Sequence, residues 1–414
     1  MIFGMYTLSD IKLNKLRVFL RVDINSPIDP DTGKFLDTSR IKAVKETLKE
    51  LEDCSVVLAS HQSRPGKGDF TSLERHAEIL SKYVSQDVEF IPDIFGPYAI
   101  DRIKKLKPGE IIVLDNLRYY SEENLEFPFN KASRTVLVQR LYRLFDIYVN
   151  DAFPTIHRSQ PSIVGFPMVL PSFIGRFMEK ELKALNMVLE ETSSPCTYIV
   201  GGAKVIDRLK MMKAVLERGN ADYVLTGGLI ANALLAAEGY QIPDKSLPEN
   251  GQVEELARDI IRKFKDKVLT PDDLLIKIEG KYQIVNAGDH IRGKIVDIGE
   301  NTIEKYSRII MQSSTVVASG PMGVIEEEKS SVGTRKILEA MAKSKAFKLI
   351  CGGHMGAVAE IMGIKHEMDH ISLGGGATLA YLAGMKMPAL EALKESARRK
   401  NLYSKLVKKG LIKM

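Results

Sequence analysis

The chain has 414 residues, 44% hydrophobic and 27% charged, with a net charge of +6 from 59 basic and 53 acidic side chains. This is the composition of an ordinary soluble globular protein, too long for one hydrophobic core and therefore expected to form two domains. Its mild basic excess suits anionic ligands, but basic and acidic residues interleave too evenly for a nucleic-acid patch, and three separated cysteines (Cys54, Cys196, Cys351) with no CxxC pair give no sign of a disulfide framework or a zinc site.

The N-terminal MIFGMYTLSDIK has no basic region ahead of an apolar core, so no secretory leader is expected. Four short Val/Ile/Leu-rich runs follow, each reading as a buried parallel strand. They are VFLRVDIN to Asn25, VVLASHQSR to Arg64, IIVLDNLR to Arg118 and IYVNDAFPTIHR to Arg158. Between the first two, residues 39–51 (SRIKAVKETLKEL) put Ile41, Val44, Leu48 and Leu51 on one helical face. Every one of these strands ends in polar or cationic residues, and ligands of open α/β sheets bind at such carboxyl ends. Arg21, Arg40, Arg64, Arg118 and Arg158 each stand beside a second polar group: Asp23 and Asn25, Ser39, His61, Asn116, or His157. Arginine recognises phosphate and carboxylate through paired donors, so several together imply a substrate with more than one anionic group. His61 and His157 add donors to such a pocket.

After Pro161, Pro167 and Pro171, residues 176–191 (RFMEKELKALNMVLEE) predict an amphipathic helix between two sheets. Beyond it the strand ends change character: YIVGGAK to Lys204, YVLTGG to Gly228, TVVASGPMG to Gly323 and LICGGHMG to Gly356. GGAKV at 201–205 lies between a strand and a helix, where backbone amides bind phosphate and Lys204 adds a mobile charge. Several convergent glycine loops suit a nucleotide better than isolated turns. Residues 208–217 and 253–264 read as helices, and 269–300 alternates residue by residue as an antiparallel insertion. Within it, 288–295 approaches GxxxxGK[ST], but Ile295 stands where a hydroxyl would hold Mg2+. No GxGxxG follows a strand, which argues against a dinucleotide dehydrogenase. The basic C-terminal stretch (Lys394, Arg398, Arg399, Lys400, Lys405, Lys408, Lys409) reads as a solvated helix face. Uncharged stretches at 159–175 and 223–237 fall short of the ~20 apolar residues of a membrane span, and a cytoplasmic location is expected.

Taken together, these motifs resemble those of phosphoglycerate kinases from about Lys15 to the C-terminus. RVDIN (21–25) is similar to the family's RVDFN, SHQSRP (60–65) to SHLGRP, and DNLRYYSEE (115–123) to ENLRF-x-x-EE. NDAFPTIHRS (150–159) is similar to NDAFGTAHRA, GGAKV is identical, SGPMGVIE (319–326) resembles NGPMGVFE, and SLGGGAT (372–378) resembles STGGGAS. The resemblance implies an α/β protein of two Rossmann-like parallel-sheet domains joined by a hinge helix, with a ligand cleft between them. Its expected parts are a phosphoglycerate domain (1–172), an interdomain helix (173–191) and a nucleotide domain (192–391), with a tail (392–414) returning to the first.

The implied reaction is reversible phosphoryl transfer between ATP and the carboxylate of 3-phosphoglycerate, giving ADP and 1,3-bisphosphoglycerate with Mg2+. A monomer with no nucleic-acid or membrane partner is implied. Carried over by position, Asp23, Ile24, Asn25, Arg40, His61, Gln62, Ser63, Arg64, Arg118 and Arg158 hold phosphoglycerate. Gly201, Gly202, Lys204, Arg208, Gly227, Gly228, Gly320, Glu326, Gly352, Gly353, His354 and Met355 hold the nucleotide, and Arg40 and Lys204 are the catalytic cations. CGGHM (351–355) departs from the family's GGGDT, so His354 replaces an aspartate that helps hold Mg2+, and the metal ligands stay unassigned. Arg208 replaces lysine, Ser319 asparagine, Leu373 threonine and Gln160 a second histidine. This is the pattern of a distant, archaeal-like branch. Another phosphotransferase on a small phosphorylated acid and an inactive nucleotide-binding relative are the alternatives.

Overall fold

The structure is a computed structural model that describes residues 1–190, 193–248 and 251–412. The chain divides into two compact units, Met1–Leu182 with Lys386–Met414, and Lys183–Met385. The amphipathic helix runs over Arg176–Glu190, and Glu191, its last expected residue, lies outside the described residues.

The first unit is built on seven strands: β1 (Tyr6–Thr7), β2 (Arg17–Val22), β3 (Ser55–Ala59), β4 (Asp87–Ile91), β5 (Glu110–Leu114), β6 (Ile147–Asp151) and β7 (Ser172–Ile174). They pair in the order β1-β7-β6-β2-β3-β5-β4, all parallel. β3 and β6 are buried along their whole length, as expected of strands covered on both faces. Val18, Leu20, Val22, Val56 and Leu58 enter one core with Ile41, Val44, Leu48 and Leu51. That helical face is as the periodicity predicts, but it is carried by two short helices, Ser39–Ala43 and Lys45–Glu50, because the turn tightens at Val44. Phe19 faces the other way and stacks on Phe166 at 4.2 Å. The C-terminal segment joins the same unit. Tyr403 donates to Ser172 O and accepts from Ser172 N, both at 3.1 Å, and its ring lies 4.9 Å from that of Tyr6. The helix Arg176–Glu190 is capped here by Asp151, which accepts from Met178 N at 2.8 Å and from Thr47 Oγ1 at 2.6 Å.

The second unit carries β8 (Cys196–Val200), β9 (Tyr223–Thr226), β10 (Val268–Leu269), β11 (Asp273–Ile278), β12 (Lys281–Asn286), β13 (Lys294–Ile298), β14 (Thr315–Ser319), β15 (Phe347–Cys351) and β16 (His370–Ser372). Six of them form a parallel sheet, β10-β9-β8-β14-β15-β16, while β12-β11-β13 is a separate antiparallel sheet. The alternating stretch of the sequence is this insertion. Counted from β8, the main sheet has the doubly wound order 3-2-1-4-5-6 of mononucleotide-binding folds. Both units are therefore open parallel α/β sheets, and each has a point where the winding direction reverses.

Candidate functional site

In the first unit the reversal falls between β2 and β6, since β3 lies on one side of β2 and β6 and β7 on the other. The segments leaving β2, β3, β5 and β6 meet at this point. Three polar side chains bind them to one another. Ser60 Oγ accepts from Ile24 N at 3.1 Å. Gln62 accepts from Ser26 N at 3.0 Å and donates to Ser26 O at 2.9 Å. Asn116 accepts from Gln62 N at 3.2 Å and donates to Gln62 O and Thr71 O, both at 2.9 Å. The Gln62 side chain is thus committed to loop structure, and Ile24 is buried in the core, so a ligand could meet these two only through their backbone.

On this frame the charged groups converge. Arg40 lies 3.4 Å from Asp23 Oδ2 and donates to Asn25 O at 3.2 Å. Asp23 also accepts from Asn25 N at 2.9 Å, and Asn25 Oδ1 accepts from Ser63 N at 2.9 Å. Ser63 adopts φ +54°, in the left-handed region that L side chains seldom take. Its carbonyl accepts from Arg118 NH1. Burial, then Arg158 and Arg21, pull the Arg118 guanidinium down to about 10. Burial and the charges of Arg21, Arg118, Arg158 and Arg40 hold the His61 imidazole well below its ordinary value. Arg64, one residue beyond Ser63, is exposed, and Arg158 is half-buried. Asp23 and Glu123 oppose the charges of Arg21 and Arg118, and the four arginines that surround His61 outnumber these two carboxylates, which suits the pocket to a polyanion.

Two members of this cluster escaped the sequence reading. Glu123 and Ser162 are both buried: Ser162 donates to Glu123 through its N–H (2.6 Å) and hydroxyl (2.7 Å), and accepts from Arg21 Nε at 2.8 Å. A buried arginine requires a counter-charge, but nothing local marks which carboxylate supplies it.

In the second unit the reversal falls between β8 and β14, and the glycine loops meet there. Gly201 N donates to Ser319 O at 2.9 Å, and Gly228 N donates to Met322 O at 2.7 Å. The packing leaves no space for side chains. A Cβ on Gly201 would lie 2.2 Å from Pro321 O, on Gly227 2.7 Å from Met322 Sδ, on Gly228 2.8 Å from Gly202 N, and on Gly320 2.3 Å from Gly201 O. Arg208 covers this junction. Its guanidinium lies 3.0 Å from where a Gly202 Cβ would sit, and burial lowers its pKa. Lys204 is exposed immediately before the helix Val205–Glu217. Gly352 (φ +106°) and Gly353 differ from these, because nothing lies within 4 Å of their Cβ positions. They open the helix Gly353–Ile361, whose amides are the kind that receive phosphate. His354 in its first turn is exposed, whereas the Met355 side chain belongs to the core. Glu326 is exposed. Its neighbour Glu327 accepts from Lys277 Nζ at 2.7 Å and from Tyr282 OH, which ties the loop to the antiparallel insertion. No group of three or more His, Cys, Asp or Glu able to hold a metal ion occurs among the described residues.

Comparison with known proteins agrees with this arrangement. The family model described as phosphoglycerate kinase matches residues 8–385. A phosphoglycerate kinase of Methanothermus fervidus is 44% identical over 408 residues, covering 97% of this chain and all of that protein. One from Sulfurisphaera tokodaii is 45% identical over 394 residues, covering 93% of this chain and 95% of the relative. The crystal structure of phosphoglycerate kinase from Pyrococcus horikoshii superposes with a TM-score of 0.87 at 40% identity, covering 95% of this chain and all of that one.

Proposed function

We infer the function from one premise: the chain belongs to the phosphoglycerate kinase family. It is a phosphotransferase with a carboxyl acceptor. It moves the γ-phosphoryl group of ATP reversibly to the carboxylate of 3-phosphoglycerate, giving ADP and 1,3-bisphosphoglycerate. The observation that carries the acceptor side is the convergence of Arg21, Arg40, Arg118 and Arg158 around His61, a density of cations that only a multiply charged anion balances.

Chemically, a carboxylate oxygen attacks the γ-phosphorus while the bond to the bridging oxygen of ADP breaks. The nucleophile, with a pKa of about 4, is already ionised at neutral pH, so no general base is required. The barrier is repulsion between anions, and the protein's task is positioning and charge neutralisation. Arg40, held by Asp23 and Asn25, is assigned to the transferring group from the first unit, and Lys204 from the second. Glu326 is assigned to the ribose hydroxyls. Mg2+ arrives as part of the Mg–ATP substrate, held by phosphate oxygens and water, since the described residues offer no carboxylate cluster for a resident ion. The reading also makes the protein a cytoplasmic monomer; among the described residues no helix is long and apolar enough to cross a membrane.

The test is a coupled assay of ADP formation from Mg–ATP. Turnover should require 3-phosphoglycerate and fall about 10³-fold in Arg40→Ala. Phosphorylation of a different small acid in preference would change the substrate assignment. ATP binding without turnover would favour an inactive nucleotide-binding relative.

A further inference from the structure

Arg21 is buried at the end of β2 and all three of its nitrogens are engaged. Nε donates to Ser162 Oγ at 2.8 Å, NH1 donates to Val22 O, and NH2 lies 3.4 Å from His61 Nδ1. Behind it, the Ser162 hydroxyl donates a hydrogen bond to Glu123 Oε2 at 2.7 Å and the Ser162 N–H donates to Oε1 at 2.6 Å. Tyr148 OH closes the network by donating to Ser162 O at 2.9 Å. Glu123 is thus the counter-charge of Arg21, and Ser162 fixes the distance between them.

The consequence falls on His61. A guanidinium has five N–H donors and no acceptor, so a ring nitrogen facing it must present a lone pair. A second proton on the ring is opposed by burial and by the four surrounding arginines. The single imidazole proton therefore sits on Nε2, the ring nitrogen turned away from Arg21.

Resting on the phosphoglycerate reading of this pocket, we propose that the buried relay Glu123–Ser162–Arg21 sets the tautomer of His61, so that the neutral ring offers Nε2–H to an anionic oxygen of the substrate. Arg21 and Glu123 are then positioning residues and not ligands. A neutral donor also adds a hydrogen bond without adding a fifth positive charge to a cluster that already repels itself.

The experiment is a long-range 1H–15N correlation spectrum of the full chain labelled with 15N-histidine, at pH 7 without ligand, with His61 assigned through His61→Gln. Wild type should show an unprotonated Nδ1 and a protonated Nε2. Arg21→Met should give a mixture of tautomers, and Glu123→Gln and Ser162→Ala should shift the same resonances less. Because Arg21→Met strands a buried carboxylate, Ser162→Ala, which keeps both charges, carries the test should the former not fold. In Glu123→Gln the KM for 3-phosphoglycerate should rise about tenfold with kcat changed less than threefold, the split expected of lost ground-state binding. An Nδ1–H or imidazolium signature in wild type overturns the proposal, as does an unchanged tautomer in both Arg21→Met and Ser162→Ala. An Nε2–H signature that 3-phosphoglycerate leaves unmoved upholds the relay and sinks the substrate reading instead.

Discussion

Arg208 Nε donates to the Ser319 hydroxyl at 3.2 Å, joining the second-unit helix Val205–Glu217 to the end of β14. These are two of the positions at which the chain departs from the family pattern, where lysine and asparagine are expected. The departures belong together: the forked guanidinium occupies the space above Gly202 and Gly320, and a compact hydroxyl meets it there. Arg208→Lys and Ser319→Asn should each raise the KM for ATP several-fold, and the double variant should recover much of that loss. A double-mutant cycle should give a coupling of about 1 kcal/mol. Strictly additive losses would show that the two residues act independently.

Gly320 is the tightest test of the glycine junction. Its φ is +87°, and a Cβ there would sit 2.3 Å from Gly201 O and 2.7 Å from Arg208 Cζ. Gly320→Ala combines backbone strain of about 1–2 kcal/mol with overpacking of about 1–3 kcal/mol, and should impair ATP binding along with stability. Gly219→Ala is the control, because Gly219 has a similar φ (+73°) but nothing within 4 Å. Its cost should stop near the strain alone. Equal unfolding free energies for the two variants would mean that the close approach of the loops contributes nothing.

His354 stands exposed at the opening of the helix Gly353–Ile361. With the nucleotide and water supplying the ligands of Mg2+, His354→Ala should keep most of its Mg2+-dependent turnover. A large loss that is restored by raising the Mg2+ concentration would make His354 part of the metal's surroundings.

His76 predicts an acid-sensitive first unit. It is fully buried with Nε2 3.0 Å from Gln62 Oε1, and burial, then Arg75, brings its imidazole down to about 4. In the unfolded chain the same ring titrates near 6.5. The folded value is the lower one, so between these limits the unfolded state takes up a proton that the folded state refuses. The stabilising effect of a neutral His76 is therefore complete above pH 6.5 and disappears as the pH falls toward 4, a loss on the order of 3 kcal/mol. Urea unfolding from pH 7 to 4.5 should show a steeper fall for wild type than for His76→Gln. Parallel curves would mean that the histidine keeps its ordinary value when folded.

The fold was legible where it depends on local order. Runs such as VVLA in β3 and YIV in β8 carry the apolar residues that a strand covered on both faces requires, and the turns that follow are written in their glycines or polar residues. The strands that lead into the site, the two-unit α/β class and the antiparallel insertion could be read this way, whereas β1, β4, β7 and β10 were not, and the helix expected over residues 39–51 is two. Strand neighbours could not. Only the tertiary structure puts β14 beside β8 and so brings Gly320 against Gly201, or carries Ser162 141 residues along the chain to Arg21. It also turned the Ile24 and Met355 side chains into the core and tied Gln62 to Ser26, where motif position had suggested contact with a ligand. The physical reason is one of range. Periodicity and turn chemistry are properties of neighbouring residues, whereas sheet order and the pairing of buried charges follow from burying many distant segments together, and no single segment encodes that.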